Sequence, residues 1–88
     1  MSADSRGKTI PSVHYRIIGK GIRVAREQRG LTLESVAERA ELTHSQLCEI
    51  ETGSDDYPIQ VLERIADALN LSVVRLIGFA YSLGAAAD

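Results

Sequence analysis

The chain has a single cysteine, no apolar run approaching 18 residues and no sustained strand-like alternation, and each absence removes a class of protein. One cysteine cannot close an internal disulfide, which fits a reducing cytoplasm. Without a long apolar run no transmembrane helix is expected. The opening segment MSADSRGKT lacks the apolar block of a secretory signal and is expected to form a flexible arm. A zinc site needs about four ligands, whereas Cys48, His14 and His44 match no finger or deaminase spacing. His44 and Cys48 stand four apart on one helical pattern, but two ligands hold a metal poorly, so neither a metal nor a cofactor is expected. A Cys–His nucleophile would lie on an open helix face with no third group to orient it. Gly19 and Gly21 flank Lys20 inside a helical pattern and follow no strand, which excludes a phosphate-cradling loop. These residues do not assemble an enzyme.

What is present is helical patterning, clearest from Leu31 to Gly53 in LTLESVAERAELTHSQLCEIETG. Two short patterns, at 32–40 and 44–52, are separated by Glu41-Leu42-Thr43. Thr32 and Thr43 stand at N-cap positions, where a hydroxyl accepts from an otherwise unpaired backbone N–H. Gln46 follows Thr43 at capping-box spacing. Val36, Ala37 and Ala40 line one face of the first helix, and Leu47 and Ile50 one face of the second. Two such short helices need partners to hide these faces. Val13, Ile17, Ile18, Ile22 and Ala25 make a stripe between Ser12 and Arg29, stopped at Gly30. Pro58 suits a first helical turn, followed by Ile59, Leu62, Ile65, Ala66 and Leu69, with a stop at Asn70. Ser72 caps a last apolar helix running to Gly84. The expectation is one all-α domain of five helices at 13–84, with an arm at 1–12 and a tail at 85–88.

The ordered set Ile22-Arg23, Gly30-Leu31-Thr32, Val36-Ala37, Leu42-Thr43, Leu47, Ile50-Glu51, Gly53, Pro58 and LERIADALNL from Leu62 to Leu71 resembles the Cro/CI-type (XRE) helix-turn-helix domains of bacterial and phage regulators. The resemblance covers about Ile18 to Ile77. It implies a compact lambda-repressor-like bundle of five helices whose third helix lies in the DNA major groove. Carried over, it puts base-reading positions on His44, Ser45, Cys48 and Glu49, with Gln46 beside them. Ser45 and Gln46 can bond base edges, and Glu49 can accept from a cytosine amino group. It also implies that Arg26 pairs with Glu51 inside the domain and that the first helix, with Arg16, Lys20 and Arg23, lies near phosphates. Leu33 stands where a phosphate-contacting Gln is common, and Glu41 stands where a turn glycine is usual.

Charge argues against a conventional operator complex. Residues 1–30 carry seven cations against two acids, and residues 31–88 carry three against ten. From Glu41 to Tyr57 there are five acids and no Lys or Arg, a composition that repels phosphates. Two function classes compete on this basis. The favoured one is a regulator that docks another transcription regulator, antiactivator-like, on the face made by Leu33, His44, Ser45, Gln46, Cys48, Glu49, Asp55, Asp56 and Tyr57. There Leu33 and Tyr57 would be exposed anchors and the acids would steer a basic partner. The alternative is a dimeric repressor bound to duplex DNA. Val73, Val74, Leu76, Ile77, Phe79, Ala80, Tyr81 and Leu83 cover more than one side of the last helix, which implies a homodimer or a partner there.

Overall fold

The computed structural model describes residues 12–54 and 56–87, which form five helices joined by tight turns. They are α1 (Ser12–Gln28), α2 (Leu33–Arg39), α3 (His44–Thr52), α4 (Ile59–Ala68) and α5 (Val73–Ala87). The arm expected at 1–12 lies outside the described residues except for Ser12, which opens α1. The tail expected at 85–88 is different: α5 continues through Ala87, because three alanines favour helix more than any other residue. Asp88 lies outside the described residues.

Side-chain caps start the short helices. Thr32 Oγ1 accepts from Ser35 N at 3.0 Å. Thr43 Oγ1 accepts from Gln46 N at 3.0 Å while Gln46 Oε1 accepts from Thr43 N at 2.8 Å, closing a capping box. At the start of α5, Ser72 Oγ accepts from Arg75 N at 3.1 Å. Pro58 is the N-cap of α4 rather than its first helical residue, and it offers no side-chain cap.

The ends of α1 to α4 share one device. Gly30, Glu41, Gly53 and Asn70 all adopt left-handed backbone, with φ of 67°, 62°, 76° and 62°. The residue after each turns its N–H back five positions: Leu31 to Arg26 O, Leu42 to Ala37 O, Ser54 to Glu49 O and Leu71 to Ala66 O. This satisfies carbonyls that a helix end leaves open. Three of the four following residues are leucines, and Leu31, Leu42 and Leu71 all pack on the core.

The core draws on every helix. Ile22, Val36, Leu47, Ile65, Leu69 and Leu76 are its largest fully buried side chains. Three residues of the expected stripes are not in it: Ile17 is only half-buried, and Val13 and Ile59, in the first turns of their helices, are 43% and 51% exposed. α1 packs against both α3 and α5, and Gly19 and Gly21 make that possible. A Cβ on Gly19 would fall 2.3 Å from Ile50 O of α3, and one on Gly21 would fall 2.3 Å from Ala80 Cβ of α5. The pair that resembles a fragment of a phosphate loop is thus a double packing contact. His14 Nδ1 hydrogen-bonds the Tyr81 hydroxyl, tying the start of α1 to the far part of α5.

Candidate functional site

Packing divides α3 into an inner and an outer face. Leu47, Ile50 and Glu51 point inward and are buried, while His44, Ser45, Gln46, Cys48 and Glu49 are all exposed. The buried carboxylate is held by a two-pronged ion pair. Arg26 Nε donates to Glu51 Oε2 at 2.7 Å and Nη2 to Oε1 at 3.1 Å, and Nη1 bonds Leu31 O at 3.1 Å. The side chains keep 12% and 5% of their exposure. Donating these hydrogen bonds to Glu51 raises the Arg26 pKa. One of the five acids between Glu41 and Tyr57 is therefore neutralised inside the domain, and the outer surface is less negative than the residue count suggests.

α1 supplies cations to the edge of the outer face. Arg16, Lys20 and Arg23 repeat at steps of four and three, so they share one side of the helix. With Cys48, Glu51 and Thr52 they line an open groove of about 480 Å³ between α1 and α3. Gly53 fixes the register of this edge: a Cβ there would lie 2.6 Å from both Cα and Cγ of Arg16, so only glycine lets the end of α3 lie against Arg16. The opposite edge of α3 is mostly apolar, with Gln46 and Asp56 as its polar members. There Gln46 and Ile50, with Leu42, Asp56, Tyr57, Pro58 and Val61, line a second groove of about 200 Å³. Gln46 has also committed its amide oxygen to the Thr43 cap, which leaves its NH₂ as the group free to donate.

The two expected anchors are placed otherwise. Leu33 and Tyr57 are half-buried and packed on the core rather than exposed. The Tyr57 ring meets Tyr15 edge-on, with centroids 5.0 Å apart. Its hydroxyl is buried with no hydrogen-bond partner among the described residues, and burial raises its pKa. Asp56 is exposed, and Asp55 lies outside the described residues. Arg64, a cation of the acidic half, is occupied in holding α4 to the end of α2 through Ala40 O at 2.8 Å. Cys48 and His44 stand on the open face, and no three His, Cys, Asp or Glu side chains gather into a metal-holding group among the described residues. Among those residues, too, no single helix is long and apolar enough to cross a membrane.

Comparisons with known proteins agree with this geometry. The family described as helix-turn-helix domain matches residues 18–76. An immunity repressor protein of Bacillus phage phi105 is 34% identical over 61 residues, which are 69% of this chain and 42% of the relative. A competence pilus inhibition repressor of Acinetobacter baylyi is 30% identical over 59 residues, 67% of this chain and 54% of the relative. The chain thus spans about half the length of these relatives. The crystal structure of the clp gene regulator ClgR of Corynebacterium glutamicum superposes with a TM-score of 0.76 at 28% identity, covering 83% of this chain and 81% of that one. With the family match spanning two thirds of the chain, and five helices in this arrangement, the chain belongs to the Cro/CI-type (XRE) helix-turn-helix family, a family of regulators and not of enzymes.

Proposed function

We propose that the chain regulates transcription by binding duplex DNA, with α3 in the major groove and the α1 cations on flanking phosphates. The observation that carries this reading is the groove in which Arg16, Lys20 and Arg23 stand directly beside the exposed face of α3. Phosphate contacts position a protein on the duplex and base contacts specify the sequence. This face offers both: cations along one edge, and Ser45, Gln46, Cys48 and Glu49 outward on the helix. The names of the two relatives make repression the proposed outcome. A second copy joins through the outer side of α5, where Val74 is 79% exposed and Gly78 has nothing within 4 Å of an added Cβ. That arrangement would set two α3 helices on a two-fold-related site. Sedimentation across a concentration series reads the dimer directly.

The exposed acids Glu49 and Asp56 support a second reading, in which they and the α3 face dock a basic region of another transcription regulator. It rests on the absence of any Lys or Arg from α3. It has lost the aromatic and leucine anchors that made it attractive, because Tyr57 and Leu33 are packed on the core. Repeated selection of bound duplexes from a random-sequence pool separates the two. DNA reading predicts enrichment of a two-fold-symmetric motif that Ser45→Ala or Glu49→Gln alters. Failure of any motif to enrich at low salt would leave the protein-docking reading in possession of the site.

A further inference from the structure

We propose that a cleft remote from α3, between the end of α1 and α5, receives an acidic segment of a partner protein through one inserted apolar side chain. The cleft has a volume of about 210 Å³ and is lined by Ala25, Gln28, Arg29, Leu71, Arg75 and Phe79. That is room for a side chain but short of the roughly 300 Å³ at which small-molecule pockets begin. Its walls combine two guanidinium groups with an apolar floor of Ala25, Leu71 and Phe79. Neither Arg29 nor Arg75 has a carboxylate within 4.0 Å among the described residues, where Arg26 and Glu51 form the one ion pair. Arg29 is nevertheless held in place, since its Nη1 donates to Ala25 O at 3.2 Å. The Arg75 backbone N–H is fixed by the Ser72 cap.

Charge complementarity names the occupant. Residues 31–88 contain three cations, and one of them, Arg75, lines the same cleft as Arg29. Two arginines on one cleft with no carboxylate within 4.0 Å among the described residues leave it positive, and an acidic segment complements that charge. A phosphate backbone would satisfy the charge but would leave the Phe79 and Leu71 floor uncovered, whereas a peptide carrying one apolar side chain satisfies both. The location is compatible with a second ligand. Ala25 lies about 200° around α1 from Arg23, so the cleft and the Arg16–Lys20–Arg23 groove occupy different sides of the same helix. The site therefore stands whether or not α3 reads DNA.

The test uses the full chain and a short fluorescein-labelled peptide of aspartates and glutamates around one central phenylalanine, followed by fluorescence anisotropy. Saturable binding is expected. It should weaken by about tenfold or more in Arg29→Glu/Arg75→Glu, and by several-fold when the peptide's phenylalanine is replaced by serine. Lys20→Glu, on the other side of α1, should change it by less than about twofold. Both arginines are exposed, so circular dichroism should report an unchanged helix content. Three results would each overturn the proposal. They are no saturable binding to the unsubstituted chain, equal weakening by Lys20→Glu, or loss of duplex DNA affinity in Arg29→Glu/Arg75→Glu with peptide binding intact. The last would identify a phosphate contact instead.

Discussion

Glu41 is where backbone geometry and side chain disagree most, and replacing it by glycine should stabilise the domain. It occupies the same left-handed turn as Gly30, Gly53 and Asn70, with φ of 62°. Glycine adopts that conformation without penalty and asparagine tolerates it. A glutamate does neither, because its Cβ crowds the neighbouring carbonyl at a cost of roughly 1–2 kcal/mol. Its side chain is exposed and has no hydrogen-bond partner among the described residues, so nothing in the native state is lost with it. Glycine's greater freedom in the unfolded chain takes back roughly 0.5–1 kcal/mol. The net expectation for Glu41→Gly is a gain of about 1 kcal/mol, which in a domain of this size raises Tm by about 4–8 °C. Urea titration should show a higher midpoint with an unchanged slope. Glu41→Ala supplies the control, since it removes the charge and keeps the strain, and should gain far less. Equal gains in the glycine and alanine variants would show that the effect is electrostatic. No gain in either would refute the strain argument.

The packing also decides the outcome of four other substitutions. Gly19→Ala, although a better helix former, should lose roughly 1–3 kcal/mol and weaken DNA binding. The new Cβ, 2.3 Å from Ile50 O, drives α1 and its cations away from α3. Gly78→Ala, with open space around it, should instead gain up to about 1 kcal/mol in the monomer, and chemical denaturation compares the two. Glu51→Gln should lower stability by about 3 kcal/mol, since it leaves Arg26 with 12% exposure and no carboxylate; an unchanged Tm would deny the pair any structural role. Tyr57→Phe should be neutral or stabilising by about 1 kcal/mol, because it removes a buried hydroxyl with no partner among the described residues. The raised folded-state pKa of Tyr57 gives the sign of the alkaline effect. Its contribution is complete below the unfolded tyrosine pKa near 10 and falls above it, as the unfolded state ionises first. Denaturation above pH 10 should therefore erode the parent more than the phenylalanine variant.

The helices were legible because their signals are local. Thr32, Thr43 and Ser72 cap where hydroxyls at those positions should, and Leu47, Ile50, Ile65 and Leu69 fall into the core by simple periodicity. The Arg26–Glu51 pair lies 25 residues apart in the chain and came from the family resemblance, since no local pattern joins them. Features set by how helices meet were less visible. Gly19 and Gly21 fall inside a helical pattern that carries no sign of their packing role, because the backbones they admit belong to α3 and α5. Tyr57 read as an exposed loop aromatic because its partner, Tyr15, is on α1. The charge count was incomplete for the same reason. Counting acids from Glu41 to Tyr57 could register neither that Glu51 turns inward nor that Arg16, Lys20 and Arg23 border the same surface. The step of four and then three between those cations is the signal that does record it, once α1 is known to lie against α3.

The salt dependence of duplex binding tests the central claim most directly. With a duplex recovered by selection, log K falls linearly with log salt, with a slope of about −0.9 for each phosphate neutralised. If the α1 edge tracks the backbone, Lys20→Ala/Arg23→Ala should make that slope shallower by about 2 and weaken all duplexes alike. Glu49→Gln should change sequence preference and leave the slope unaltered. A slope unmoved by loss of both cations, or binding to no duplex at low salt, would contradict the assignment of the α1–α3 surface to DNA.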